Sequence, residues 1–192
     1  MQAGLPELRQ HPQVVRGSLA LQPAETIWTV GHSTHPIEEF TDILASHGIT
    51  RIVDVRRHAG SRKYPQFNPE SLATSLADAG ILYTAIPELG GRRRPRPDTP
   101  HTAWRSDSFR GYADYMDTAD FASAAERLAT IAREDRVAMM CSEAVWWRCH
   151  RSMISDYFKV HGWTVLHVMG PGDSKEHPYT PVARIVDGVL TY

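Results

Sequence analysis

The two cysteines of the chain lie close together in a segment that also carries acidic, basic and imidazole side chains. Residues 141–151 read CSEAVWWRCHR, and they directly follow a short apolar run. A thiol between arginines and a histidine near a helix N-terminus has a lowered pKa and can act as a nucleophile. A carboxylate and an imidazole beside it can transfer protons as a general acid and base. The segment therefore predicts a catalytic site that consists of Glu143, His150, Cys149 and Cys141.

The same side chains allow plainer interpretations. Cys141 ends an apolar run, where a cysteine often packs as a small apolar residue, and His150 falls on the helix stripe expected to face the core. A metal ion could be bound by Cys141, Cys149 and His150 together with His32 or Asp54, although the spacing matches no C-x-x-C pair. We predict no cofactor, and a metal-dependent or redox thiol protein stays as an alternative. A phosphatase-like or rhodanese-like loop is disfavoured, because the segment between the first cysteine and the next arginine contains two tryptophans and no glycine.

Short apolar runs alternate with helical patterns from residue 25 onward. Strands are predicted at 26–30, 49–55, 81–86, 137–141 and 164–168, and helices with one apolar face are expected between most of them. Strands joined through single helices need crossover connections, which makes them parallel. The fold class is therefore α/β: an open, mostly parallel doubly wound sheet of about five strands with helices on both faces. Asp187 and Gly188 between two apolar runs add a short C-terminal β-hairpin.

Length and composition favour one globular domain. The chain has 192 residues and a formal net charge of -1, which gives no overall attraction to nucleic acid or to a membrane surface. It contains neither an apolar run of about 18 residues nor the pattern of a secretory signal, so a cytoplasmic location without membrane contact is expected. Residues 1–24 contain three prolines and are predicted to form a flexible extension to a single α/β domain at 25–192. The sequence gives no prediction of whether the chain is a monomer or an oligomer.

Residues that could bind an anion follow four of the predicted strands. Ligands bind at the carboxyl ends of strands in open parallel sheets, because each loop there leads into a helix N-terminus. Arginine forks suit phosphate and carboxylate groups, and paired glycines allow backbone amides to approach an anion closely. We therefore predict a substrate-binding or anion-binding set made of His32, Ser33, Asp54, Arg56, Gly90, Gly91 and Arg151.

Two of these assignments have competing interpretations. Asp54 and Arg56 form a D-x-R at the end of the second strand, so Arg56 either binds an anion or forms a buried ion pair with Asp54. The segment RRRPRP at 92–97 is either a solvated loop or a surface that steers a phosphate backbone towards aromatic side chains. A phosphate-bearing small molecule or nucleic acid is the predicted partner in the second case.

The motifs of this chain resemble those of domain-of-unknown-function family 488. The resemblance rests on the segments VGHSTH (30–35), DVRRHAGSRKYPQFN (54–68), ELGG (88–91), RGYADYM (110–116) and CSEAVWWRCHR (141–151). Their order and spacing extend it from about residue 26 to the C-terminus. The resemblance implies that Cys141, Glu143, Cys149, His150 and Arg151 form a family signature, C-x-E followed by C-H-R. It implies no settled activity.

The first functional hypothesis is an enzyme without a cofactor that acts on a phosphate-bearing small molecule, nucleotide or nucleic acid. In it Arg56 and Arg151 hold the anion, Glu143 and His150 exchange protons, and Cys149 is a nucleophile or a pocket wall. The reaction, of hydrolase or transferase type, stays open. The second hypothesis is a non-catalytic nucleic-acid-binding module that uses the arginine-rich loop and aromatic residues, and the third is the thiol or metal-dependent protein.

Overall fold

Parallel strands and helices alternate along the chain, as the sequence predicts. The computed structural model describes residues 25–192, so the predicted extension at 1–24 lies outside the described residues. The strands are β1 (Thr26–Gly31), β2 (Arg51–Asp54), β3 (Leu82–Ala85), β4 (Val137–Cys141), β5 (Thr164–Gly170), β6 (Asp173–Glu176), β7 (Arg184–Val186) and β8 (Val189–Thr191). The helices are α1 (Ile37–Ser46), α2 (Pro69–Asp78), α3 (Asp107–Met116), α4 (Ala119–Glu134) and α5 (Arg151–Val160).

Six strands form one sheet in the order β3-β2-β4-β1-β5-β6. All neighbours are parallel except β5 and β6, which pair antiparallel. The two remaining strands, β7 and β8, form the antiparallel hairpin that Asp187 and Gly188 predict. The predicted α/β class, the mostly parallel sheet and the C-terminal hairpin are therefore confirmed.

Each face of the sheet is covered by helices. Alternate strand residues point to opposite faces, so Ile52 packs with α1 and α2 whereas its neighbour Val53 packs with α3, α4 and α5. The helices contribute apolar stripes, such as Phe40 and Leu44 of α1. Because the central strand β4 is buried at every position, it reads as a continuous apolar run.

Local signals set most helix ends. The helices α1, α2 and α5 end before glycines with positive φ: Gly48, Gly80 and Gly162. The helix α4 begins after Thr118, whose hydroxyl accepts a hydrogen bond from the Phe121 amide. Asn68 precedes α2 but does not cap it, because its side-chain oxygen accepts a hydrogen bond from the Ser61 amide at 2.7 Å.

The sixth strand of the sheet is absent from the sequence prediction. Its residues, Asp173–Glu176, are all exposed and polar, so they show no apolar alternation. They join the sheet because their backbone pairs with the edge of β5. Among residues 25–192, no helix combines the length and apolar character needed to cross a membrane.

The two central strands lead to opposite faces of the sheet. The chain passes from β1 to α1 on one face, and from the adjacent β4 to α5 on the other. This divergence is the switch point of a doubly wound sheet, where the loops separate and leave a crevice. The segment that contains both cysteines lies at this crevice.

Candidate active site

The loops after β1, β2 and β4 meet at the carboxyl edge of the sheet. Backbone hydrogen bonds continue beyond the strands: the His32 amide donates to the Cys141 carbonyl at 3.0 Å, and the Val55 amide donates to the Met140 carbonyl at 3.0 Å. These bonds fix the loop backbones relative to one another. The side chains that follow the strands are therefore held on a rigid frame.

Cys141, Cys149 and His150 form a compact cluster. One ligand-type atom from each residue, the two sulfurs and a ring nitrogen, lies within 4.8 Å of the others. Cys141 ends β4, whereas Cys149 and His150 directly precede α5, so the fold brings together residues eight or nine positions apart. Both cysteines are free thiols and almost completely buried.

The hydrogen bonds of His150 define its tautomer. Its Nε2 lies 3.2 Å from the Val55 carbonyl oxygen, which can only accept, so Nε2 carries the hydrogen. The other nitrogen, Nδ1, then has a free lone pair and lies 3.5 Å from the sulfur of Cys149. Burial lowers the pKa of His150, which keeps the imidazole neutral. His150 is thus arranged to accept a proton from Cys149.

The two thiols differ in acidity. Burial alone would raise the pKa of Cys149, but a hydrogen bond from Cys141 and the charge and hydrogen bonds of Arg151 lower it to about 7. Burial raises the pKa of Cys141 well above its usual value, and the neighbouring Cys149 raises it further. Cys141 therefore stays protonated and donates to Cys149, which is the sulfur that can ionise near neutral pH.

Arg151 supports the cluster from behind. The residue is 1% exposed, and its guanidinium donates to the backbone oxygen of Glu143 at 2.6 Å and to the hydroxyl of Thr29 at 3.2 Å. Its backbone amide lies 3.5 Å from the Cys149 sulfur. No carboxylate of residues 25–192 forms an ion pair with it. Arg151 is therefore a buried positive charge beside the thiols.

Asp54 and Arg56 form a buried ion pair. Arg56 donates from Nε and Nη2 to the two carboxylate oxygens at 2.8 and 2.7 Å, and Tyr83 donates to the same carboxylate at 2.8 Å. A further guanidinium nitrogen, Nη1, lies 3.1 Å from Nε2 of His32. Burial and the charge of Arg56 lower the pKa of His32 to about 4, so His32 accepts this hydrogen bond as a neutral ring. Most N–H groups of Arg56 therefore donate hydrogen bonds to other groups of the protein.

A cavity of about 230 Å³ opens in front of the cysteine–histidine cluster. Its charged rim contains arginines and a single carboxylate. The cavity is lined by Arg56, Arg57, His58, Gly91, Arg92, Ser108, Phe109, Cys141, Ser142, Glu143, Arg148, Cys149 and His150. This volume is below the roughly 300–1,000 Å³ of typical ligand pockets, so it fits a small molecule or one end of a larger one.

Six of the eleven predicted site residues line this cavity: Cys141, Glu143, Cys149, His150, Arg56 and Gly91. The other five lie behind or beside it: His32, Ser33, Asp54, Gly90 and Arg151. Gly90 and Gly91 allow close packing, because a Cβ on Gly90 would lie 2.5 Å from the backbone of Arg57, and one on Gly91 would lie 3.0 Å from Nδ1 of His150. The Glu143 carboxylate is exposed and forms no hydrogen bond with any residue of the 25–192 region.

The prediction omitted three arginines of the rim. Arg57 directly follows the D-x-R motif, Arg92 directly follows the glycine pair, and Arg148 directly precedes Cys149. Adjacency to a predicted site residue is the signal that could have identified them. Two other arginines of the 92–97 loop contact side chains of α3. The guanidinium carbon of Arg93 lies 3.6 Å from the ring centre of Tyr115, and Arg96 forms an ion pair with Asp114 at 3.3 Å.

The cluster also fits a transition metal. Two thiolates and a neutral imidazole are the donor set of a Cys₂His zinc site, and the bond from His150 Nε2 to Val55 is the outer contact that orients such a ligand. The cavity would supply the open fourth position. His32 and Asp54, the other predicted ligands, bond to Arg56 instead of joining the cluster.

Fold and site define the class: a doubly wound α/β protein with a cysteine–histidine cluster at the switch point of its sheet. A family model described as Domain of unknown function DUF488 matches residues 36–158, which is more than half of the chain. The chain therefore belongs to this family. The match includes the cysteine–histidine cluster and every arginine of the cavity rim. No curated protein and no solved structure matches the chain.

Proposed function

We propose that this protein is a thiol-dependent enzyme that acts on a small anionic substrate. One observation carries the proposal: the Cys149 sulfur, 3.5 Å from the proton-accepting nitrogen of His150, faces a small cavity with an arginine rim. A nucleophile with an adjacent base is the usual arrangement for covalent catalysis. Such a rim attracts substrates that carry phosphate or carboxylate groups.

The reaction that this geometry supports best is acyl transfer to Cys149. The thiol proton passes to Nδ1 of His150, and the thiolate attacks the acyl carbon of the substrate. An S–C bond forms, the bond to the leaving group breaks, and the imidazolium returns its proton to that group. Water then attacks the thioester carbon while His150 accepts its proton, the S–C bond breaks, and the imidazolium returns the proton to the Cys149 sulfur. The net reaction is hydrolysis, with no other reactant.

Attack on phosphorus is less well supported. A thiol phosphatase surrounds the transferred phosphate with loop amides, whereas three amides of the loop between Cys141 and α5 already contact acceptors within the protein. The Glu143 amide contacts the Cys141 sulfur at 3.4 Å, and the amides of Arg148 and Cys149 donate to loop carbonyls. A phosphate group on the substrate would therefore act in recognition and remain intact.

The exposed arginines of the rim are better placed to hold the anion than the two arginines assigned from the sequence. Arg151 is buried and Arg56 is bonded to Asp54. Arg92 and Arg148 form no ion pair within residues 25–192, and both line the cavity. We therefore assign anion recognition to Arg92 and Arg148, with Arg57 beside them.

Alkylation by two reagents of different charge tests this proposal. Iodoacetate and iodoacetamide present the same electrophilic carbon, but only iodoacetate is anionic. Relative to a free thiol in solution, Cys149 should favour iodoacetate by roughly ten-fold, because the arginine rim concentrates anions. Mass spectrometry of the digested protein would show which cysteine carries the label, and Cys149→Ser should abolish it.

Arginine substitutions provide the matched comparison. Arg92→Gln and Arg148→Gln should bring the reagent preference towards that of the free thiol, whereas Arg105→Gln, at an exposed arginine outside the cavity lining, should not change it. An absence of preference for the anion, or a Cys149 that stays unlabelled in the folded protein, would overturn the proposal.

A metal-dependent enzyme is the second candidate, and the three-ligand cluster favours it. Purified protein would be dialysed against zinc, and its metal content measured together with iodoacetamide labelling. A metal centre predicts one zinc per chain, protection of Cys149 from the reagent, and loss of zinc in Cys141→Ser. The thiol enzyme predicts that Cys141→Ser still reacts at Cys149 and that zinc is not retained.

A further inference from the structure

A continuous chain of hydrogen bonds runs through the core behind the cavity. The hydroxyl of Thr29 lies 2.8 Å from Nδ1 of His167, and Nε2 of His167 lies 2.9 Å from Nδ1 of His177. Nε2 of His177 lies 2.9 Å from a carboxylate oxygen of Asp156. All four residues are at most 1% exposed. We call Thr29, His167, His177 and Asp156 the buried relay.

The relay joins Arg151 to a carboxylate that it does not touch. Arg151 donates from Nη1 to Thr29 at 3.2 Å, at the opposite end from Asp156. A buried charge without a compensating charge is strongly unfavourable. Asp156 supplies a negative charge at the far end, and the aligned hydrogen bonds connect the two groups through neutral side chains.

The donors and acceptors fix one direction along the relay. A guanidinium can only donate and a carboxylate can only accept. Thr29 therefore accepts from Arg151 and donates to Nδ1 of His167. His167 then donates from Nε2 to His177, which donates from its own Nε2 to Asp156. The opposite direction would leave the hydroxyl hydrogen of Thr29 without an acceptor, so both imidazoles are neutral Nε2–H tautomers.

The surroundings of His167 agree with a neutral imidazole. Burial, and then the neighbouring His177 and Arg151, lower the pKa of His167 to about 2. Trp146 stacks flat on His167, with ring centres 4.2 Å apart and planes 5° apart. It also packs nearly perpendicular to the ring of His177, with ring centres 5.2 Å apart. A tryptophan of the 141–151 segment thus covers the relay, which gives a bulky indole in that segment a packing role.

We propose that the buried relay is a positioning device for Arg151, which holds its guanidinium beside the sulfur of Cys149. Thr29 and the Glu143 carbonyl occupy the two terminal nitrogens, so the guanidinium cannot turn. The third guanidinium nitrogen, Nε, is buried and has no hydrogen-bond acceptor within residues 25–192. The backbone amide of Arg151 lies 3.5 Å from the Cys149 sulfur, which places the residue next to that sulfur. This inference rests on the proposed function, because it assigns Arg151 to the stabilisation of a Cys149 thiolate.

The residues that the family model matches include only part of the buried relay. Arg151 and Asp156 lie within the residues that the family model matches, whereas Thr29, His167 and His177 lie outside them. The relay is completed by β1, β5 and the segment after β6. The assignment comes from the hydrogen-bond geometry.

Substitutions at the two ends of the relay separate positioning from general stability. Thr29→Val keeps the shape of the side chain but removes the hydroxyl that holds Arg151, whereas Thr29→Ser keeps that hydroxyl. Thr180→Val is the matched control, because Thr180 donates to the far oxygen of Asp156 at 2.7 Å and lies outside the path to Arg151. Each protein would be treated with a chelator before measurement.

The readout is the pH dependence of Cys149 alkylation by iodoacetamide. The ionisable groups around this sulfur are Cys141, His150, Arg151 and the phenol of Tyr112, and none of them is changed. Thr29→Val should move the midpoint upward by roughly half a pH unit or more, because a loosened guanidinium stabilises the thiolate less well. Thr29→Ser and Thr180→Val should keep the wild-type midpoint. An unchanged midpoint in Thr29→Val, or equal shifts in Thr29→Val and Thr180→Val, would overturn the inference.

Nitrogen NMR tests the relay independently of thiol reactivity. The wild-type spectrum should show neutral Nε2–H tautomers for His167 and His177, and a slowly exchanging Nε–H signal for Arg151 that Thr29→Val alone loses. An Nδ1–H tautomer at either histidine, or the same Arg151 exchange rate in all variants, would reject the relay. If Cys149 reacts with neither reagent, the proposed function fails, and the NMR result still decides the relay.

Discussion

Individual residues of the 141–151 segment divide their roles between side chain and backbone. Cys149 and His150 present side chains to the cavity. Glu143 contributes its backbone to the frame, because its carbonyl accepts from Arg151 and its amide contacts Cys141. Its carboxylate stays exposed at the rim, so the acid–base role assigned to it from the sequence stays a prediction.

Titration of the two thiols gives a test at the scale of single residues. The Cys149 thiolate forms with a pKa of about 7, so alkylation of Cys149 should reach half of its maximal rate near pH 7 and fall as pH decreases. Cys141 should remain unlabelled under the same conditions, because burial raises its pKa. Quenched labelling between pH 5 and 9 followed by peptide mass spectrometry would measure both rates. Equal labelling of the two cysteines would contradict this difference.

The acidity of Cys149 could be predicted from the sequence, whereas the burial of Arg151 could not. Arginine and histidine neighbours near a helix N-terminus are local features that a sequence shows directly. The environment of Arg151 depends on Thr29, 122 positions earlier in the chain. Such a contact follows from strand order, which composition and periodicity do not specify.

At the scale of elements, the site depends on a close approach between β1 and the loop after β4. Gly31 ends β1, and a Cβ at this position would lie 1.9 Å from the Glu143 carbonyl oxygen and 2.9 Å from Nη2 of Arg151. Glycine thus permits the hydrogen bond between Arg151 and Glu143. The sequence pattern shows Gly31 only as a residue after a strand.

Gly31→Ala should therefore damage both stability and the site. Relieving the overlap requires a backbone shift, which we expect to cost about 1–3 kcal/mol of the free energy of unfolding. Urea denaturation would measure the loss, and thiol alkylation would show slower reaction of Cys149. Gly170→Ala is the matched control, because a Cβ there would meet no atom within 4 Å. Equal stability of the two variants would show that the approach is not tight.

Strand prediction succeeded where burial leaves an apolar signature. The strands β1, β2, β4 and β5 were each expected close to their observed positions, since apolar runs of this length are typical of buried strands. The strand β3 was also expected near its observed position, although it lies at the sheet edge and none of its residues is buried. The strand β6 was missed because Asp173–Glu176 is wholly exposed and is defined by backbone pairing alone. Its antiparallel direction places His177, which accepts from the neighbouring relay histidine, directly after the strand.

For the whole molecule, charge is distributed unevenly although the net charge is only -1. Arginines collect around one cavity, whereas histidines are buried in the core behind it. This separation makes folding sensitive to acid, because burial lowers the pKa of His32 and of His167 and keeps both rings neutral in the folded protein.

Stability should decrease when the pH falls below about 6.5. The pKa of His167 is about 2 in the folded protein and near 6.5 in the unfolded chain, so the unfolded chain binds the proton first as pH falls. This histidine should contribute up to about 1.4 kcal/mol of lost stability for each pH unit below 6.5. Urea titrations at pH 7, 6 and 5 would measure the slope, and His167→Gln should reduce it, whereas His35→Gln at a partly exposed site should not. A slope unchanged by His167→Gln would show that His167 does not cause the loss of stability in acid.

The proposed function requires a reactive Cys149 thiolate that faces an anion-binding cavity. A crystal structure of the protein after reaction with iodoacetate would test this requirement. We expect a carboxymethyl group on the Cys149 sulfur, with its carboxylate bound by Arg92 or Arg148. A modified Cys141, or a carboxylate directed away from every arginine of the rim, would contradict it.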